Sequence, residues 1–174
     1  MDYLRNKMVY LTGPITAAND DGVGWRENIT PKLLTYGLIV DDPVKNTVNG
    51  VGEVGEDKLK FKKLIKERRF EQARREFFPI VRKDLRSVDK SDFLIFYYDP
   101  SIPMFGTIHE IVIAHLQRKP ILMFVPDDKV DGINPWVFTF IKSDCLFTSW
   151  EAMFIYLDSI NRKVAIDYDY WTMN

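Results

Sequence analysis

Near the middle of the chain, an apolar run leads through a short loop into the start of a helix. Residues 91–99 read Ser-Asp-Phe-Leu-Ile-Phe-Tyr-Tyr-Asp, and this aromatic and β-branched pattern predicts a buried strand. A loop with Pro and Gly follows, and a helix is predicted over residues 107–118. Glu110 then lies in the first helical turn, just past the carboxyl end of a strand, where open α/β sheets bind ligands. The helix dipole favours an ionised carboxylate there, which makes Glu110 a candidate nucleophile.

Strand and helix patterns alternate along the whole chain. Strands are predicted at residues 8–12, 38–40, 92–98, 120–125 and 145–148. Helices are predicted at residues 25–36, 57–89 with a break near Pro79, 107–118, 135–141, and from a Ser149 cap to about 161. Residues 46–56 read as a long loop. The pattern predicts one α/β domain over residues 1–174, a flavodoxin-like or Rossmann-like parallel sheet of five strands with helices on both faces.

Composition narrows the possible partners and locations. The formal net charge is −1, so nothing global attracts nucleic acid or an anionic membrane, and we expect neither partner. A signal peptide and an apolar run of membrane-spanning length are both missing, which predicts a cytoplasmic protein. One cysteine and two histidines make a zinc site or a Cys–His nucleophile pair improbable. We therefore expect neither metal nor cofactor.

Four short motifs fall at ends of the predicted strands. They are Tyr-Leu-Thr-Gly-Pro-Ile at 10–15, Arg-Lys-Asp-Leu at 82–85, Ser-Asp at 91–92, and Gly-Thr-Ile-His-Glu at 106–110. In this order and spacing, the set resembles the nucleoside 2-deoxyribosyltransferase family and its relatives, the 2′-deoxynucleoside 5′-monophosphate N-glycosidases. The resemblance covers nearly the whole chain. A charged segment, residues 46–78, is longer than the compact transferases require and reads as an insertion, either a lid or an assembly element.

The resemblance implies a role for each matching residue. Glu110 corresponds to the nucleophile that attacks C1′ of deoxyribose, Tyr10 to the residue that orients this carboxylate, and Asp84 to the group that protonates the leaving base. Asn134 corresponds to a residue lent to a neighbouring subunit, which implies a homo-oligomer with shared sites. The family often has a carboxylate where this chain has Phe105, and Asp99 is a candidate substitute for it. The remaining substrate-binding candidates are Gly13, Pro14, Trp25, Asp92, Gly106 and Thr107.

Simpler explanations exist for several of these residues. Tyr10 and Trp25 could be ordinary core aromatics, Asp84 could lie on a solvated helix face, and Asp92 could be a cap. The activity also has alternatives. Transfer of deoxyribose between nucleobases is the leading expectation, hydrolysis of a deoxynucleoside monophosphate is the second, and a non-catalytic nucleotide sensor on the same fold is the third. The acidic pair Asp20 and Asp21 in the first loop argues against a bound phosphate.

Overall fold

A parallel sheet forms the centre of the molecule. The computed structural model describes residues 2–46, 52, 54–164, 167 and 169–171. Within them the strands are β1 (Met8–Thr12), β2 (Ile39–Asp41), β3 (Phe93–Tyr97), β4 (Ile121–Phe124) and β5 (Leu146–Phe147). All neighbours run parallel, in the spatial order β2-β1-β3-β4-β5. This is the flavodoxin-like order, so the predicted fold class is confirmed.

Helices cover both faces of the sheet. The six α-helices of the described residues are α1 (Val23–Thr35), α2 (Gly55–Lys66), α3 (Phe70–Lys90), α4 (Phe105–Leu116), α5 (Pro135–Phe138) and α6 (Trp150–Asn161). Contacts between α1 and α6 place them together on one face, and α3 and α4 pack together on the other. Helix α2 packs on α3, while α5 is a single turn. Short 3₁₀ segments occur at Asp127–Gly132 and Ser143–Cys145.

The charged helical segment breaks at a different place from the predicted one. Helix α3 runs through Pro79, where we expected the break, and α2 ends instead before Arg68, which has a left-handed φ of 57°. The Arg68 and Arg69 amides bond back to the carbonyls of Ile65 and Leu64, a Schellman-type helix end. Pro79 is exposed, so water can satisfy the carbonyl it leaves unpaired. Residues 47–51 and 53 of the predicted loop lie outside the described residues.

The order of the strands creates the crevice for a ligand. Chain connections leave β1 and β3 in opposite directions, and such a switch point opens a cleft at the carboxyl edge of the sheet. The pairs Tyr10–Leu94 and Thr12–Phe96 set the register there. Since strand residues two apart share a face, Tyr10 and Thr12 both point to the side covered by α3 and α4. No helix of the described residues is long and apolar enough to cross a membrane.

A buried arginine ties the loop after β1 to the rest of the fold. Arg26, fully buried on α1, donates to the carbonyls of Leu11, Gly13 and Gly22 at 2.7–3.3 Å. Its Nε also lies 3.6 Å from the Asp42 carboxylate, just after β2. One guanidinium therefore links β1, the following loop, α1 and the end of β2.

We predict that Arg26→Met lowers the free energy of unfolding by about 3–5 kcal/mol, because it removes the charge partner of Asp42 and the hydrogen-bond donor of several buried carbonyls. Urea unfolding followed by tryptophan fluorescence measures this change. Arg118→Met, at an exposed arginine after α4, is the matched control and should change stability by less than about 0.5 kcal/mol. If Arg26→Met lowered the free energy of unfolding no more than the control does, the buried guanidinium would not be needed for stability.

Candidate active site

Glu110 lies in the second turn of α4, not in the first turn as expected, because the helix begins at Phe105 rather than at residue 107. Side chains from β1 fix its carboxylate. The Tyr10 hydroxyl donates to Glu110 Oε1 at 3.0 Å, and the Thr12 hydroxyl donates a short hydrogen bond to Oε2. All three side chains are at least nine-tenths buried. Burial and the nearby Glu110 carboxylate hold the pKa of Tyr10 well above its usual value, so this phenol stays a donor. Both carboxylate oxygens are thus oriented by hydroxyls of the central strand.

Thr12 is a candidate site residue that the sequence motifs did not single out. The signal was present, because Thr12 follows Tyr10 by two residues on the same strand and must face the same way. The family resemblance rests on the glycine and proline that follow Thr12, and it does not use the alternation of side chains along the strand. The hydroxyl of Thr12 now belongs to the candidate site on geometry alone.

Asp84 is the second carboxyl group of the site. It lies on the inner side of α3, is 6% exposed, and lines the same cavity as Tyr10 and Glu110. Burial raises the pKa of Asp84, although the Lys83 ammonium 2.9 Å from Oδ1 opposes the shift. Apart from this ammonium, Oδ1 has no hydrogen-bond partner among the described residues. Asp84 is consequently the carboxyl group better suited to carrying a proton.

The cavity has a volume of about 470 Å³, which suits a small organic ligand. Its polar floor holds Tyr10, Asp84 and Glu110, and one wall is the loop of residues 13–17. Phe61 of α2 and Phe77 of α3, with ring centroids 4.6 Å apart, form an apolar wall. The predicted insertion thus contributes an aromatic surface to the site. No lysine or arginine lines the cavity within the described part of the chain.

Several predicted site residues line this cavity, and others do not. Gly13, Pro14, Gly106 and Thr107 line it. Phe105, at the place where the family often has a carboxylate, is 89% exposed at the cavity mouth.

Asp92 requires a correction. It precedes β3 and therefore lies at the amino edge of the sheet, opposite Glu110. There its carboxylate accepts from the Met8 amide at 2.6 Å and from Lys7 at 3.2 Å. Asp92 joins two strand starts and does not belong to the site.

Asp99, Trp25 and Asn134 also fall outside the lining. The Asp99 carboxylate accepts hydrogen bonds from Ser101 and Lys129, so it does not substitute for the carboxylate missing at Phe105. Although burial raises its pKa, these hydrogen bonds outweigh burial and lower it. Trp25 packs behind Gly13, stacked on Tyr97 at 5.3 Å. Asn134 is exposed, and its side chain caps α5 by accepting from the Trp136 amide at 2.9 Å.

Solved structures with a similar fold include two deoxyribosyltransferases. A 2-desoxiribosyltransferase from Leishmania mexicana is 17% identical, with a TM-score of 0.56 over 87% of this chain and 97% of that one. A 2-deoxyribosyltransferase from Bacillus psychrosaccharolyticus is 17% identical, with a TM-score of 0.54 over 86% and 95%. A conserved protein from Enterococcus faecalis V583 is 16% identical, with a TM-score of 0.59 over 91% and 99%.

Sequence comparison adds nothing to these structural similarities, because no family model and no curated protein matches the chain. The predicted resemblance to the deoxyribosyltransferases is confirmed for the fold, over most of the chain. At this level of identity the similarity defines an architecture, and the chemistry has to be argued from the site.

We predict that Asp84→Asn changes stability in a pH-dependent way. The folded-state pKa of Asp84 is raised, so the native state binds more protons than the unfolded state above pH ~4 and loses stability as the pH rises. The amide of the variant does not titrate, so the variant does not lose stability in this way as the pH rises. Its stability relative to wild type should therefore be more favourable at pH 7 than at pH 4, as measured by urea unfolding.

Asp20→Asn is the control of opposite sign. Hydrogen bonds from the Gly24 and Gly22 amides lower the pKa of Asp20, although partial burial opposes them. Asp20 therefore stabilises the fold above its unfolded pKa and loses this contribution as the pH falls below it, so the loss of Asp20 should cost more at pH 7 than at about pH 3. If the two variants moved in the same direction with pH, the assignment for Asp84 would be wrong.

Proposed function

We propose that this protein cleaves the N-glycosidic bond of 2′-deoxynucleosides and transfers the deoxyribosyl group to another nucleobase. One observation carries the proposal. Glu110, a carboxylate oriented by two hydroxyls, and Asp84, a carboxyl group whose pKa is raised by burial, line one small cavity at the sheet's switch point. Two carboxyl groups with different environments are what glycosidic cleavage needs as nucleophile and general acid.

In the proposed first half-reaction, a Glu110 oxygen attacks C1′ as the bond from C1′ to the base nitrogen breaks. The bonding electrons leave with the base, and Asp84 supplies the proton that makes it a neutral leaving group. A covalent deoxyribosyl–glutamate ester remains. An incoming base then attacks C1′, gives its proton to Asp84, and releases Glu110 as a carboxylate. Tyr10 and Thr12 aim the carboxylate in both steps and transfer no proton themselves.

The aromatic wall is the proposed place of the nucleobase. Phe61 and Phe77 present flat apolar surface to the cavity that Asp84 lines, and planar rings pack favourably on such surfaces. The sugar would then lie toward Glu110 and Thr107. A base bound against the two rings would also keep water from C1′, which favours transfer over hydrolysis.

Hydrolysis of a deoxynucleoside monophosphate is the second candidate activity. The contacts of the loop after β1 make it the less favoured one. Asp20 accepts hydrogen bonds from the Gly22 and Gly24 amides, which would otherwise be free to bind an anion at the start of α1. The Asp21 carboxylate forms an ion pair with the Lys58 ammonium at 2.6 Å, so that cation is already paired. With no lysine or arginine in the described cavity lining, a phosphate would lack a permanently charged partner there.

The expected homo-oligomer stays a proposal. Asn134 and Trp136 are exposed on α5, and Trp136 leaves 78% of its surface uncovered. A neighbouring copy that covers this turn would bring Asn134 to a second site, as the family resemblance implies.

We predict that Glu110→Ala reduces kcat/KM for transfer by about 10³-fold or more, because the nucleophile is lost. The assay incubates deoxyadenosine with cytosine and separates the products by chromatography. Wild type should yield deoxycytidine and adenine, and mass spectrometry should find a deoxyribosyl adduct on the peptide with Glu110. Glu151→Ala is the matched control, since this exposed glutamate lies on another helix, in the first turn of α6, away from the cavity. Adenine without deoxycytidine would indicate a hydrolase, and no turnover a sensor.

We also predict a preference for the nucleoside over its 5′-monophosphate. The kcat/KM for deoxyadenosine should exceed that for deoxyadenosine monophosphate by about tenfold or more, the value of one missing charge-assisted hydrogen bond. Asp20→Asn removes a charge and weakens the acceptor of both amides, so it should raise the relative rate for the monophosphate. A wild-type preference for the monophosphate would promote the hydrolase instead.

A further inference from the structure

Helix α3 carries a line of basic and aromatic side chains that the proposed activity does not use. We call it the α3 stripe: Arg74, Phe78, Arg82, Arg86 and Lys90. All five side chains are exposed, and their four-residue spacing keeps neighbours on nearly the same side of the helix. The stripe extends for about 24 Å, at a rise of about 1.5 Å per residue. Its residues lie outside the lining of the catalytic cavity.

The cations of the α3 stripe have no acidic partners. Within the described residues, no ion pair involves Arg74, Arg82, Arg86 or Lys90, whereas Lys60 of α2 pairs with Glu76 at 2.7 Å. Two of the guanidinium groups instead lie over Phe78, at 5.3 Å for Arg74 and 5.8 Å for Arg82. Phe78 itself is 46% exposed. The stripe is therefore a run of positive charge with planar groups stacked in it.

The second half of the stripe borders a groove of about 760 Å³ between α3 and β2, the edge strand of the sheet. Its basic lining residues are Arg82, Lys83, Arg86 and Lys90. Among the described residues that line it, Asp41 is the single carboxylate, and it already accepts a hydrogen bond of 2.6 Å from Asn46. Lys83 is paired with Asp84, so a ligand in this groove would meet the three remaining cations against one carboxylate.

We propose that the α3 stripe and its groove bind single-stranded nucleic acid. Phosphates of the strand would lie along the four cations, because lysine and arginine hold such backbones by charge. An unpaired base would stack on Phe78 or on a neighbouring guanidinium, as bases do on single-strand-binding surfaces. A duplex keeps its bases stacked inside and has nothing to offer the aromatic ring. The net charge of −1 led us to expect no nucleic-acid partner, but that sum hides where the charges lie.

The test is binding of fluorescein-labelled 12-nucleotide oligo-dT and oligo-dA, followed by anisotropy with the full chain at several salt concentrations. Affinity should fall with salt at a log–log slope of about −3, as expected for four phosphate contacts on a single strand. Arg82→Glu/Arg86→Glu should weaken binding at least about tenfold and roughly halve the slope. Phe78→Ala should weaken binding by about tenfold with an unchanged slope, since stacking carries no charge.

Lys62→Glu/Lys66→Glu is the matched control. It makes the same charge change at two exposed lysines one helical turn apart on α2, and it should alter affinity by less than about threefold. Thermal melts establish that every variant is folded. The proposal is overturned if wild type binds no oligonucleotide at about 10⁻⁴ M protein and low salt, if the control loses as much affinity as the stripe variant, or if a duplex of the same length binds as tightly as the single strand.

Discussion

The geometry of the site depends on how the loop after β1 is held, and Arg26 holds it. Its guanidinium bonds to the carbonyls of Leu11 and Gly13 while also contacting Asp42 beyond β2. A buried arginine is stable only when its donors are used, so it fixes the positions of all its partners together. Gly22 makes the close approach possible, because a Cβ on it would lie 2.3 Å from the Pro14 carbonyl. The same contacts keep the end of β1, and with it Thr12, directed at Glu110.

Environment gives the two carboxyl groups of the site different properties. Glu110 receives hydroxyl donors on both oxygens, which fix its direction. Asp84 is buried with an unsatisfied oxygen and a single ammonium beside it, and its pKa is raised by that burial. Burial without full compensation costs stability, and carboxyl groups with raised pKa values are common at sites where a proton is transferred. The difference between the two groups is therefore the strongest functional argument in the molecule.

Much of this could be predicted from sequence, for identifiable reasons. The strands around Leu94 and Leu122 are continuously apolar, and Ser149 caps α6 as its side chain predicts. The helix end at Arg68 could not be predicted, because it depends on an arginine adopting a left-handed conformation that sequence does not signal. Asp92 is a different case. It precedes β3, and a residue before a strand of a parallel sheet lies at the opposite edge from a residue that follows one.

Helix α3 shows why net charge is a poor guide to the charge of a local surface. Its inner side carries Asp84 and Phe77 into the cavity, while its outer side carries the α3 stripe. Along the sequence the residues of the two sides alternate. The acidic and basic residues together therefore have the pattern of a solvated helix of mixed charge. Folding separates them, because a 3.6-residue period sends residues 77, 81 and 84 to one side and residues 78, 82 and 86 to a neighbouring one. A field at a surface depends on the nearest charges within about a Debye length, and along the α3 stripe four of these are positive, with the exposed acids Glu71 and Asp89 near its two ends.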